Sequence, residues 1–322
     1  VPACDRDRFD PRLPAPPLDR PLSDELAMLP MTREPNVRLV VTNLPENVFL
    51  VREILAGLAS VVPLADGQLD DVKTVVSEAC NNVVLHAYDG ARGPLDVEIR
   101  VEDDRLEVSV TDTGGGLRPR PKLTDQIDGI GIPVILALSD RVEFTGGIDQ
   151  GTQVRMQFDV PGARQLASPP GTDAPPSVAT PLDRDQADPQ TNADTSAGDT
   201  RATLVVEPLS LAGSMLSRPL TALAARARFS IDRLSDLQLV TDAIAAHAGR
   251  SLSGNRLQVG VILATRSLQL RIGPLRPGTA GQLINDTAVG GLAPLIQTLA
   301  DELTVETCGE AEVLTLRMLD PR

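Results

Sequence analysis

The chain has 322 residues, long enough for two ordinary domains that each bury a core. Aromatic residues make up 2% of it, with no Trp and one Tyr, so its cores must be built from Leu, Val, Ile and Ala. A formal charge of −14 and a pI near 4.6 argue against direct nucleic-acid binding, which needs clustered Lys and Arg. Cys4, Cys80 and Cys308 lie far apart with no ligand spacing, and there are only two histidines. A zinc site or a Cys–His pair is therefore not expected, and the simplest setting is a reducing compartment. Val1 to Arg6 carries charges where a secretory signal would need an apolar run. The longest apolar stretches, such as Pro133 to Leu138, fall far short of the ~20 residues that span a bilayer. A cytoplasmic protein with no membrane association is expected.

Residues 1–36 are rich in Pro, Arg and Asp without periodicity and read as a flexible N-terminal arm. Val37 to Thr42 alternates as a strand. Glu46 to Val61 reads as a helix through Val48, Val51, Leu55 and Leu58. Asp70 to Tyr88 is a second helix with the stripe Val72, Val75, Val76, Ala79 and Val83, closed by Asp89 and Gly90. Leu95 to Val101 and Leu106 to Thr111 form a hairpin, Ile132 to Leu138 a short helix, and Arg141 to Phe144 and Thr152 to Phe158 two closing strands. The pattern predicts an α+β sandwich over residues 37–160, with a mixed, mostly antiparallel sheet and helices on one face. Residues 161–200 are Pro, Asp, Ser, Thr and Ala, a disordered linker.

Residues 201–322 repeat the first domain faintly. Thr203 to Glu207 answers the first strand, and Leu257 to Leu263 with Leu268 to Ile272 answers the hairpin. Leu239 to Ala246 lies over Val75 to Asn82, and Gly290 to Ile296 lies over Gly129 to Ile135. Self-similarity in the same element order implies a duplicated domain.

Four elements carry chemistry. Glu78 and Asn82 stand one turn apart at the edge of the second helix's apolar stripe, where a helix flanks a pocket. An Asn amide oxygen ligates Mg²⁺, and a carboxylate one turn earlier accepts a proton from an attacking hydroxyl. Asp112, followed by Thr113, Gly114, Gly115 and Gly116, ends an apolar strand; there a carboxylate bonds an exocyclic amine and glycines admit a close backbone approach. Gly129 and Gly131 open a short helix whose free N–H groups suit phosphate. Gly151 and Thr152 begin the last strand. Singly these have plain readings as surface residues and tight turns.

In this order the four resemble the N, G1, G2 and G3 boxes of the gyrase/histidine-kinase (GHKL) ATPases. The run Ser77 to Tyr88 is particularly similar to the anti-sigma-factor serine kinases. The resemblance implies an ATP- and Mg²⁺-binding domain in which Asn82 holds the metal and Glu78 is the catalytic base. Asp112 would read adenine, and Gly114, Gly116, Gly129, Gly131 and Thr152 would line the nucleotide. Leu117 to Asp128, with Arg118, Arg120 and Lys122, would be the ATP lid. Arg52 matches a position used to contact partner proteins, and a structural role is expected for His86.

The resemblance also implies a serine/threonine kinase that phosphorylates a STAS-type anti-anti-sigma protein, sequesters a sigma factor, or both. The alternative is an ATP-binding interaction module without turnover. A sensor histidine kinase is disfavoured, because no dimerising helical hairpin with a phospho-accepting His precedes the domain. In the repeat, Asn82 is matched by Ala246, or by His247 after a one-residue slip. Asp112 falls on Pro274 and Gly131 on Leu292. The second domain is expected to be a degenerate pseudo-ATPase, and the full chain a monomeric pseudo-dimer.

Overall fold

A computed structural model describes residues 34–102, 104–116, 131–147, 150–160, 200–288 and 293–321. The arm up to residue 33, the linker from 161 to 199, the lid from Leu117 to Asp128, and Gly129 lie outside the described residues.

Alternation of Val, Leu and Ile with polar residues makes the strands, and apolar stripes at helical spacing make the helices that cover them. The first half runs β1 (Val37–Thr42), α1 (Pro45–Leu58), α2 (Gln68–Asn82), β2 (Pro94–Glu102), β3 (Arg105–Asp112), α3 (Gly131–Leu138), β4 (Arg141–Gly146) and β5 (Thr152–Asp159). The second runs β6 (Thr200–Val206), α4 (Ala212–Arg226), α5 (Ile231–His247), β7 (Leu257–Ala264), β8 (Ser267–Leu275), α6 (Ala280–Asn285), α7 (Leu295–Leu299), β9 (Glu302–Cys308) and β10 (Ala311–Leu319).

The strands form a single sheet in the order β4-β5-β3-β2-β1-β6-β7-β8-β10-β9. Every described pairing is antiparallel, where the sequence predicts a mixed sheet. The reason is the connections. Two helices between β1 and β2 return the chain antiparallel to its starting strand, and β5 inserts between β3 and β4, which run the same way. The face away from the helices carries ion pairs, among them Arg38–Asp96 at 2.6 Å, Arg100–Glu98 at 2.7 Å and Arg155–Glu143 at 3.2 Å.

The sequence predicts two sandwiches, but one sheet passes through both halves, and Pro35–Arg322 is one compact unit. Strands β6, β7, β8, β10 and β9 take the places that β1, β2, β3, β5 and β4 hold. Burial repeats at most core positions of the first strand and two helices. Val37, Leu39 and Val41 of β1 correspond to Ala202, Leu204 and Val206 of β6. Leu50, Val51, Ile54, Leu55 and Leu58 of α1 correspond to Met215, Leu216, Pro219, Leu220 and Leu223 of α4. Val72, Val75, Val76 and Ala79 of α2 correspond to Leu237, Val240, Thr241 and Ile244 of α5. Burial therefore selects the slipped register. Val240, not Leu239, lies over Val75, and His247 lies over Asn82.

The halves join where β1 pairs with β6. Leu39 faces Leu204, Val37 faces Val206 and Val41 faces Ala202. Leu204 is the counterpart of Leu39, so a local two-fold axis passes between them, the arrangement of an isologous interface. Across the same axis α1 packs on α4. The Arg226 guanidinium sits 5.2 Å from the centroid of the Phe49 ring. Asn36, expected in the arm, is a joint of this seam. Its backbone oxygen accepts from the Glu207 N–H, and its side-chain oxygen accepts from the Val101 N–H at 2.7 Å.

Candidate nucleotide-binding site

Helix α2 buries Val72, Val75, Val76, Ala79 and Cys80, which leaves Glu78 and Asn82 half-buried at the rim of its apolar stripe. The chain then widens into a π-helical turn, Val83–Ala87, of a kind often found at functional sites. Helix α3 begins opposite. A Cβ added at Gly131 would lie 3.1 Å from Glu78 Oε2 and 3.7 Å from Asn82 Oδ1. Three residues singled out in the sequence thus meet, with the first turn of a helix facing a carboxylate and an amide. A side chain at position 131 would fill the space between them.

Asp112, at the end of β3, is buried at 5% exposure. Its Oδ1 accepts the Gly114 N–H at 2.8 Å, and Thr152, its cross-strand partner on β5, bonds it through both N–H and hydroxyl. Burial pushes the Asp112 carboxyl above its ordinary value, and the bonds from Gly114 and Thr152 pull it back. A buried carboxylate with unused lone pairs can accept a ligand amine.

The glycine turn after Asp112 packs against the chain itself. A Cβ at Gly114 would meet the Ala87 carbonyl oxygen at 2.0 Å, and the Gly115 N–H donates to the same oxygen at 2.8 Å. Gly116 has φ +68°, with the Gly147 carbonyl oxygen 1.9 Å from where a Cβ would sit. These two glycines admit close backbone neighbours. Sequence reasoning missed Tyr88. Its hydroxyl donates to the Pro94 carbonyl at 2.5 Å and accepts the Thr113 N–H at 3.0 Å, which clips the end of the π turn to the Asp112 turn. As the chain's single Tyr, one residue before the helix-end signal, it was visible but carried no pattern.

Arg52 of α1 is exposed. Its guanidinium donates to Ser77 Oγ at 2.9 Å, one residue before Glu78, and to the Lys73 carbonyl at 3.4 Å. His86 is half-buried within the π turn. Among the described residues no group of three or more His, Cys, Asp or Glu could hold a metal. A Mg²⁺ here would take the Asn82 oxygen and fill its remaining positions with water and ligand oxygens, the habit of a cation that surrenders its waters reluctantly. The donor set fits a Mg-bound nucleotide, with an amide oxygen and a helix N-terminus at one end and a buried carboxylate at the other.

A family model described as "Histidine kinase-like ATPase domain" matches residues 41–158. The serine-protein kinase RsbW of Bacillus pumilus (strain SAFR-032) is 36% identical over 115 residues, which cover 31% of this chain and 71% of that protein. RsbW of Bacillus licheniformis is 37% identical over 126 residues, 35% of this chain and 78% of that protein. An anti-sigma F factor of Clostridium botulinum (strain Eklund 17B / Type B) is 29% identical over 114 residues, 32% of this chain and 79% of that protein. Through its first half, the chain belongs to the histidine kinase-like ATPases and is related within them to the RsbW serine-protein kinases and to anti-sigma F factor.

Proposed function

We propose that the first half is an ATP- and Mg²⁺-dependent serine kinase that acts on a STAS-type anti-anti-sigma protein, and that the chain also holds the corresponding sigma factor. The observation that carries the reading is the meeting of Glu78, Asn82 and Gly131 beside one helix N-terminus. When bound, ATP supplies an activated phosphoryl group. Asn82 holds the metal, the N–H groups that open α3 face the phosphates, and Asp112 with Thr152 grips the base. Glu78 takes the proton from the acceptor serine. Catalysis then rests on positioning and charge neutralisation. Arg52, exposed and next to Ser77, is the partner-contacting cation in this reading.

The second half is a degenerate copy that occupies the place of a dimer partner. Support comes from the repeated burial, the β1–β6 seam and the substitutions at the site. His247 stands where Asn82 stands and Pro274 where Asp112 stands, so the metal ligand and the base reader are both gone. The full chain is then a monomeric pseudo-dimer with one nucleotide site.

The test is to incubate the full chain with γ-labelled ATP and a panel of STAS proteins. Transfer of label to a partner serine is the expected outcome. ATP binding without any transfer would support the interaction module instead, and no ATP binding would end both readings.

A further inference from the structure

We infer that the second half carries its own ligand: the Glu312 carboxylate occupies the backbone donors of the turn after β8 and locks the segment that corresponds to a nucleotide lid in a closed state. This rests on reading the second half as a copy of the first.

Met318, Leu316 and Leu314 on β10 repeat the buried positions of Phe158, Met156 and Val154 on β5, so by residue count Glu312 matches Thr152. A register shift between Leu314 and Glu312 then sets Glu312 opposite Leu275, one residue beyond Pro274 and closer to the turn. On the neighbouring strand Pro274 replaces Asp112. The second half has thus lost a carboxylate from one strand and gained one on the next. Beyond Pro274 the chain turns through Gly278 at φ +77°, the counterpart of Gly116 at φ +68°. The same left-handed turn is therefore built in both halves.

In the second half the segment beyond the turn is folded down. Glu312 Oε1 accepts the Gly278 N–H at 2.8 Å and Oε2 accepts the Ala280 N–H at 3.0 Å. The bonds from Ala280, Gly278 and Thr279 hold the carboxyl below its ordinary value, against a smaller desolvation effect. Helix α6 then begins at once, with Ala280 1% and Leu283 0% exposed in the core. Two further bonds fasten the turn to the end of α5: the Arg276 N–H and the Thr279 hydroxyl both donate to the Ser251 carbonyl, at 2.7 and 2.9 Å. Farther on, Thr287 is buried and its hydroxyl accepts the Ile296 N–H.

Consecutive N–H groups at such a turn are the donors an anion would use. Here a side chain of the same chain satisfies them. The second half therefore offers α4, α5 and the seam one fixed support, while nucleotide-driven change is confined to the first half.

The experiment is amide hydrogen exchange on the full chain, comparing wild type with Glu312→Ala and Glu312→Gln. Loss of a charge-assisted bond predicts roughly tenfold faster exchange over Gly278 to Asn285 in Glu312→Ala, with α1 and β1–β3 unchanged. Glu312→Gln keeps the shape and one acceptor oxygen and should give a smaller acceleration; it decides the matter if Glu312→Ala fails to fold. Unchanged exchange over Gly278 to Asn285 in both variants overturns the inference. So does protection of that segment by Mg-ATP in the wild type. Failure of the proposed ATP site reads separately, as the absence of any ATP-induced protection around Asp112 to Gly116.

Discussion

Gly57 tests whether the halves are interlocked. It is buried on α1 where that helix crosses α4, and a Cβ added there would lie 2.5 Å from the Ser214 carbonyl oxygen and 3.2 Å from Met215 Cε. Met215 can swing aside; a helix carbonyl cannot. Reaching ordinary contact requires the helices to separate by roughly 1 Å, which forfeits a quarter to a half of the dispersion energy at the crossing. Overpacking of this kind costs about 1–3 kcal/mol, and Gly57→Ala recovers about 1 kcal/mol of helix propensity. The net expectation is a loss of up to about 2 kcal/mol. For a cooperative unit of this size, that lowers Tm by up to about 8 °C. Gly57→Val, with more bulk and less propensity gain, should lose more. Differential scanning calorimetry of the full chain measures both. A rise in Tm for Gly57→Ala would show helix propensity winning, and the close α1–α4 approach would then be refuted.

Three further predictions concern the site. Asn82→Ala should abolish Mg-dependent ATP binding by calorimetric titration while leaving the circular dichroism spectrum unchanged, because Asn82 is half-buried outside the apolar stripe. Glu78→Gln should keep nucleotide affinity and lower phosphoryl transfer by about 10²–10⁴-fold, the usual contribution of a general base; equal loss of binding would make Glu78 a structural residue. Asp112→Asn should separate stability from function. The Asp112 carboxyl is raised above 3.8 by burial, so its ionised form costs the fold stability above that pH, and the cost disappears as pH falls. Asp112→Asn therefore holds or raises Tm at pH 7 while weakening ATP binding by roughly tenfold or more. In the wild type, ATP affinity should fall on acidification at a pH higher than an ordinary Asp would give.

Much of the first half was legible because its period and its punctuation agree. The strand over Val37–Thr42, the hairpin of β2 and β3 and the opening of α3 sit within a residue or two of expectation. The Glu78–Asn82 pair was visible as a helical spacing at the rim of a stripe. Helix α2 reads on to Tyr88 in sequence but changes to a π turn at Val83, and the last carbonyl of that turn, Ala87, accepts the Gly115 N–H, a contact made far along the chain that periodicity cannot show. In the second half α4 and α6 carried no motif, and the α5 register was one residue out. Leu239 is apolar yet 50% exposed, so hydrophobic matching chose the wrong neighbour until burial was known. The β1–β6 seam was invisible for a general reason: alternation says which face of a strand is buried and nothing about which edge is paired.

That seam supports one more prediction. Strand β1 is an interior strand only because β6 covers its edge, and the face of α1 that carries Gly57 is covered by α4. A fragment comprising residues 35–160 would expose both, and an uncovered apolar edge strand pairs with whatever matches it. Its best match is itself. Val37 faces Val206, the counterpart of Val41, and Leu39 faces its own counterpart, so a second copy of β1 restores the register without a shift. The fragment is therefore expected to form a two-fold dimer centred on Leu39, while the full chain, its edge already covered, stays monomeric in sedimentation at the same concentration. A fragment that remained monomeric and folded at high micromolar concentration would mean that β6 and α4 do not stand in for a partner, and that the second half serves some other end.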